Sequence, residues 1–256
     1  MPEPIANPFS LQGDLAIVTG GGTGLGFAMA ACFIAAGARV VITGRRADVL
    51  QDAVARLGNN AFAETHDVTD QKNAAALLAR IEQRHGLPAI LVNNAGTHVK
   101  KTVEDTTHED FHSILATHVE GAFSMTQAAV PFMKQAGRGS IIFIASMSSL
   151  IGMPLIVAYS AAKAAYLGMV RSLASELGPH NIRVNAIAPG WIETPMLTAA
   201  LSGDPQRMQK ILSRTPQQKF GKPEDIGWTA VFLSSPAAAF INGGVLPVDG
   251  GASIGF

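Results

Sequence analysis

Tyr159 and Lys163 stand four residues apart in an Ala-rich run, 158–165, whose composition suits a helix. Residues at that spacing share a helix face, so the phenol and the ammonium point the same way. A cation beside a phenol favours the phenolate and lowers the tyrosine pKa from its usual value of about 10. The pair is therefore a candidate proton donor and acceptor near neutral pH. An amphipathic helix with an ordinary surface Tyr and Lys satisfies the same spacing, and these two residues alone leave both readings open.

The elements that must hold the pair follow from the hydrophobic pattern. Short apolar runs at 15–18, 39–43, 61–65, 89–92, 140–145, 182–188 and 245–248 read as strands. Between them, 27–36, 47–57, 70–85, 107–134 and 159–177 read as helices. A further helix starts at Pro223, with proline at its first position and acids in its first turn. Near-continuous apolar strands alternating with helices predict an α/β domain, its parallel sheet covered on both faces. Residues 1–9, rich in proline, read as a loose tail; 10–256 reads as a single domain without linker or repeat.

Composition narrows the function classes. The 256 residues are 48% hydrophobic and 15% charged, enough apolar material for one large core and for surface buried in an oligomer. Formal net charge is zero, which implies no nucleic-acid partner. No run is long enough to span a bilayer, and the first residues carry neither a basic nor an apolar leader pattern, so a soluble cytoplasmic protein is expected. The single Cys32, in an apolar run, excludes an internal disulfide and reads as core.

Between the first strand and the first helix lies Thr19-Gly20-Gly21-Gly22-Thr23-Gly24-Leu25-Gly26. Such a turn lets backbone approach a pyrophosphate and aims helix N-terminal N–H groups at it. The first two glycines of the set Gly20, Gly24, Gly26 are one residue further apart than in the usual dinucleotide fingerprint.

That turn, Asn93-Asn94-Ala95-Gly96, and Ser146 thirteen residues before Tyr159-x-x-x-Lys163 together resemble the short-chain dehydrogenase/reductase family. Asp67-Val68, Pro189-Gly190 and the 248–251 Val-Asp-Gly-Gly run are also similar, so the resemblance covers almost the whole chain. It implies a Rossmann-like, doubly wound sheet of seven parallel strands, a nicotinamide cofactor, a small-molecule substrate and a homotetramer. It further implies that Tyr159 exchanges a proton with substrate, that Lys163 lowers the Tyr pKa and holds the nicotinamide ribose, and that Ser146 bonds the substrate oxygen. The implied cofactor contacts are Gly20, Thr23, Gly24, Leu25 and Gly26; Asp67 and Val68 at the adenine; Asn93, Ala95 and Gly96; and Pro189, Gly190, Ile192 and Thr194 towards the nicotinamide.

The second strand is followed by Gly44-Arg45-Arg46, with no acid before Asp48. An acid there would bond a free ribose 2′-OH; guanidinium instead binds a 2′-phosphate. Arg45 and Arg46 thus favour NADP(H), with NAD(H) the alternative.

One position departs from the pattern. Where the family carries an Asn that helps a proton relay reach the Lys, this chain has His118, a group able to titrate into the relay itself. The same segment gives a reading of another class. His108-Glu-Asp-Phe-His112 fits a zinc-protease helix with His118 as third ligand, but Leu115 stands where the chain would need to turn. On an unbroken helix His112 and His118 lie about 9 Å apart along the axis on nearly opposite sides. No metal is therefore expected. A non-catalytic dinucleotide-binding regulator is the third class, opposed by the intact Ser146, Tyr159 and Lys163.

For substrate, residues 97–99, 151–157 and a lid at 190–215 are the expected lining, with Trp191, Met196, Leu197, Leu201 and Met208 apolar, and His98 and Glu193 polar. No cluster of Arg or Lys stands out in these stretches. Residues 215–226 and the C-terminal run resemble the gluconate 5-dehydrogenase branch, which implies a polyol, sugar acid or related hydroxy/keto compound. A reductase of 3-oxoacyl thioesters or of bulky or cyclic ketones is the alternative.

Overall fold

The computed structural model describes residues 7–194, 197, 198, 201 and 203–255. Seven strands form one sheet: β1 (Leu15–Thr19), β2 (Arg39–Gly44), β3 (Ala61–Thr65), β4 (Ile90–Asn93), β5 (Gly139–Ile144), β6 (Ile182–Pro189) and β7 (Val245–Val248). Their order across the sheet is β3-β2-β1-β4-β5-β6-β7, and every neighbouring pair is parallel. The chain order reverses between β1 and β4, so a crevice opens beyond their C-terminal ends.

The strands alternate with α1 (Gly24–Ala35), α2 (Ala47–Leu57), α3 (Ala74–His85), α4 (His108–Leu115), α5 (Gly121–Ala136), α6 (Val157–Leu177), α7 (Pro205–Arg214) and α8 (Pro223–Ser234). Side chains leave a strand alternately to either face, which divides the core in two. Ala16 and Val18 of β1 join Met29, Phe33 and Ile226 on the α1–α8 face. Leu15 and Ile17 join Leu77, Met125 and Tyr166 on the α3–α5–α6 face. Gly227 lets α8 approach α1 closely: a β-carbon there would lie 2.5 Å from the sulfur of buried Cys32.

Two expectations change. The helix predicted over 107–134 is two α-helices joined by a π-helical segment, Ala116–Glu120, with His118 at its centre. A π-turn admits an extra residue and re-aims its side chain, a local effect invisible to periodicity. Of the predicted tail, residues 1–6 lie outside the described residues. Pro8 and Phe9 are docked: the Pro8 carbonyl accepts a hydrogen bond from Ala237 N at 2.9 Å, and Phe9 packs against Phe232.

Candidate active site

A cleft of about 1360 Å³ runs across the C-terminal ends of the central strands. At its floor, Thr23 caps α1 in extended backbone without a side-chain cap bond, and no acid sits in the first turn. The first N–H groups of α1 are therefore left for an external acceptor. The turn above them needs its glycines. Gly20 and Gly24 have φ of +65° and +55°, and a β-carbon on Gly26 would collide with the Gly20 carbonyl. Thr19 and Asn94 lock this turn to β4. The Asn94 amide donates to the Thr19 and Gly20 carbonyls at 2.9 and 3.2 Å, and Thr19 Oγ1 accepts from the backbone N–H of Asn94 and Ala95.

Gly20, Thr23, Gly24, Leu25, Arg45, Arg46, Asp67, Val68, Ala95, Gly96, Pro189, Gly190, Ile192 and Thr194 all line the cleft. Gly26 and Asn93 do not. Gly26 acts through packing against Gly20. Asn93 is turned into the core, where its amide donates to Thr126 Oγ1 at 3.0 Å. The alternation of β4 explains this: with Asn93 facing inward, the next residue, Asn94, reaches the cleft.

Arg45 and Asp67 meet from the ends of β2 and β3 at 3.8 Å. Burial would raise the Asp67 pKa, but hydrogen bonds from Thr69 N and Oγ1, at 3.0 and 2.8 Å, together with Arg45, hold it below the ordinary value. The glycine cradle, the open helix end and the two arginines fit the phosphates and 2′-phosphate of an NADP(H) molecule.

At the other end stand Ser146, Tyr159 and Lys163. Ser146, two residues beyond β5, has extended backbone and accepts from Ser148 N at 3.1 Å. Lys163, 3% exposed, donates to the Ile144 carbonyl at 2.5 Å. Its Nζ lies 5.5 Å from the Tyr159 ring centroid. The electrostatics correct the expected picture. Burial raises the Tyr159 pKa, against the opposing pull of a hydrogen bond with Ser146, rather than Lys163 lowering it. Burial also brings the Lys163 ammonium down to about 7, weakening the cation that was to stabilise phenolate.

His118 is 2% exposed, with its ring edge-on to Tyr159 at 5.5 Å between centroids. Its Nε2 lies 2.8 Å from the Thr97 carbonyl and 3.1 Å from the Thr97 nitrogen, while Nδ1 has no partner. Burial first, then the Lys163 charge, push its pKa down to about 3. The imidazole therefore stays neutral, and the expectation that it titrates into a relay near pH 6.5 is corrected. The His118 carbonyl accepts from Tyr166 Oη at 2.7 Å. His108 and His112 are exposed while His118 is buried, so the three do not converge.

The substrate end is lined by His98, Ser113, Thr117, Met153, Pro154, Ile156, Trp191 and Leu197. Val99, Glu193, Leu201 and Met208 are absent from the lining, and Met196 lies outside the described residues. Lys100 and Arg207 also line the cleft. Arg207, on α7, falls within the stretch expected as a lid at 190–215.

The chain matches the family model described as enoyl-(acyl carrier protein) reductase over residues 20–253. It belongs to the short-chain dehydrogenase/reductase family. It is 38% identical to the NADP-dependent (R)-specific alcohol dehydrogenase of Lentilactobacillus kefiri over 94% of this chain and 97% of that one. It is 36% identical to gluconate 5-dehydrogenase of Gluconobacter oxydans over 96% of this chain and 97% of the relative. The crystal structure of a gluconate 5-dehydrogenase from Burkholderia cenocepacia J2315, in complex with NADP and tartrate, superposes with a TM-score of 0.93 at 32% identity, covering 97% of this chain and 98% of that one.

Proposed function

We propose that this protein is an NADP(H)-dependent oxidoreductase interconverting a secondary alcohol and a ketone on a polyol, sugar acid or related hydroxy/keto compound. The observation that carries this reading is the meeting of Ser146, Tyr159 and Lys163 at one end of a cleft whose other end carries Arg45 and Arg46. Bound in that cleft, a nicotinamide supplies or accepts the hydride. Arg45 and Arg46 would hold its 2′-phosphate, and the α1 N-terminus would hold its pyrophosphate. Ser146 hydrogen-bonds the reacting oxygen, Tyr159 gives it a proton in reduction and removes one in oxidation, and Lys163 would bond the ribose. Burial keeps the Tyr159 phenol protonated at neutral pH, the form that donates to a ketone.

His118 is assigned a positioning role. It ties the π-helical segment to Thr97, at the start of the substrate loop, and its ring edge faces Tyr159. The relatives that act on alcohols and on gluconate support the reaction class. The wall of Met153, Pro154, Ile156 and Trp191 favours, as a second reading, a 3-oxoacyl thioester or a bulky ketone.

We further propose a cytoplasmic homotetramer. Phe123 on α5, Val157 on α6, Trp228 on α8 and Phe240 are large apolar side chains left exposed on this subunit, and a second copy would cover them. No helix among the described residues is long and apolar enough to cross a membrane.

The test is NADPH oxidation and NADP reduction over sugar acids, polyols, acyl thioesters and cyclic ketones, run beside Tyr159→Phe. Turnover that vanishes in the variant while NADPH still binds supports the reading. Turnover that persists, or no turnover on any class, sinks it.

A further inference from the structure

His98 stands against the catalytic phenol. Its ring centroid lies 4.9 Å from that of Tyr159, with the two planes tilted by 52°, so the rings are in contact. His118 meets the same phenol ring edge-on at 5.5 Å, but the two histidines differ. His118 is buried, and its Nε2 is engaged by Thr97 at 2.8 Å. His98 is exposed in the cleft it lines, and among the described residues neither of its ring nitrogens has a hydrogen-bond partner.

The segment carrying His98 is tied down on both sides. Thr97 is held by His118, and the Lys101 N–H donates to the Leu155 carbonyl at 2.9 Å. Leu155 has φ of +70°, a left-handed conformation that a non-glycine residue keeps only where its surroundings fix it. A braced loop therefore presents His98. Two hydroxyls of the same lining have their protons committed to backbone: Ser113 Oγ donates to the Asp110 carbonyl at 2.9 Å, and Thr117 Oγ1 to the Ser113 carbonyl at 3.0 Å. Burial first, then the Lys100 charge, lower the His98 pKa, so the imidazole is neutral at pH 7. A neutral imidazole offers one N–H donor and one acceptor nitrogen. A hydroxyl, which both donates and accepts, satisfies either. A carboxylate can only accept, and an alkyl group leaves both unpaired.

We infer that His98 is a specificity-determining residue whose imidazole hydrogen-bonds a hydroxyl on the carbon next to the reacting one, so that α-hydroxy ketones and vicinal diols are the preferred substrates. The inference rests on the oxidoreductase reading and names, within it, the substituent that the site recognises. Tyr159 fixes where the reacting oxygen sits, and ring contact places His98 at the neighbouring carbon rather than at a distant chain end.

The experiment measures kcat/KM with NADPH for two matched pairs of neutral ketones: acetoin against 2-butanone, and 2-hydroxycyclohexanone against cyclohexanone. The parent should favour each hydroxy ketone by at least about tenfold. His98→Phe keeps an aromatic ring against Tyr159 and loses both nitrogens. It should lower kcat/KM on the hydroxy ketones by about tenfold and leave the plain ketones within about threefold. His98→Gln, which retains a donor and an acceptor, should recover part of the preference. Equal loss on both members of a pair overturns the inference, since the ring would then only position Tyr159. So does a parent that shows no preference for the hydroxyl. So does 2-oxobutanoate that outruns acetoin and falls in His98→Phe, because the group recognised would then be a carboxylate. Turnover of other carbonyl compounds with neither hydroxy ketone reduced also overturns it, while leaving the oxidoreductase reading intact. Absence of turnover on every carbonyl compound and alcohol defeats that reading, and this inference with it.

Discussion

The Lys163 ammonium donates to the Ile144 carbonyl at 2.5 Å from a position that is 3% exposed. One hydrogen bond to the end of β5 fixes the side chain but does not replace the water lost on burial, which is why its pKa falls to about 7. Between that value and the ordinary lysine value of about 10.4, the unfolded chain binds more protons than the native one. Stability therefore rises with pH across that window and falls as pH drops through 7. Unfolding midpoints of the cofactor-free protein at pH 6.5 and 9 should show the rise, and Lys163→Met should remove it. An unchanged pH slope in the variant would show that Lys163 is hydrated.

Burial raises the Tyr159 pKa, so the proton needed to reduce a ketone is present through neutral pH. Reduction should hold level from neutral to mildly alkaline pH and fall only as the phenol ionises. Oxidation, which needs the phenolate, should increase over the same range. Initial rates in both directions between pH 6 and 10 provide the check. Opposite slopes support a single group acting as acid and base; parallel slopes would assign the proton elsewhere.

Much of this site can be read in the sequence because strand and helix ends fix it. Ser146 lies two residues beyond β5, Lys163 lies one turn after Tyr159 on α6, and Arg45 directly follows β2. Their places follow from element boundaries, and the α/β pattern marks those. Other features depend on distances between segments. Which of Asn93 and Asn94 faces the cleft is decided by the pleat of β4, and one residue of register reverses the answer. The π-segment at 116–120 has no signature in apolar spacing. Arg207 and Lys100 line one cleft only in the folded chain. The pKa directions at Tyr159 and His118 were least legible, since burial is the largest influence at both.

Arg45 is 73% exposed and faces Asp67 at 3.8 Å. A 2′-phosphate would compete with that carboxylate for the guanidinium, and a charge-assisted bidentate bond to phosphate is the stronger contact. Arg45→Ala should weaken NADPH by about 10- to 100-fold while changing NADH by less than about threefold. Fluorescence titration with both cofactors measures the ratio. A ratio that does not move would leave Arg45 as a solvated loop charge.

Gly96 and His118 occupy space that admits only one substituent. A β-carbon on Gly96 would collide with His118 Cε1 and come within 3.2 Å of both ring nitrogens. The imidazole is held by Thr97 and by packing against Tyr159, so it cannot yield without moving the substrate loop or the catalytic phenol. Gly96→Ala should therefore cost about 1–3 kcal/mol of stability and lower kcat at least about tenfold. His118→Asn, with a shorter side chain, should stay within about tenfold of the parent in kcat. It should also show an unchanged pH profile between 5 and 8, because the imidazole it replaces is neutral there. The double variant Gly96→Ala/His118→Asn should recover part of what Gly96→Ala loses, since the atom that met the new methyl is gone. Losses that simply add in the double variant would place the damage in the loop backbone instead.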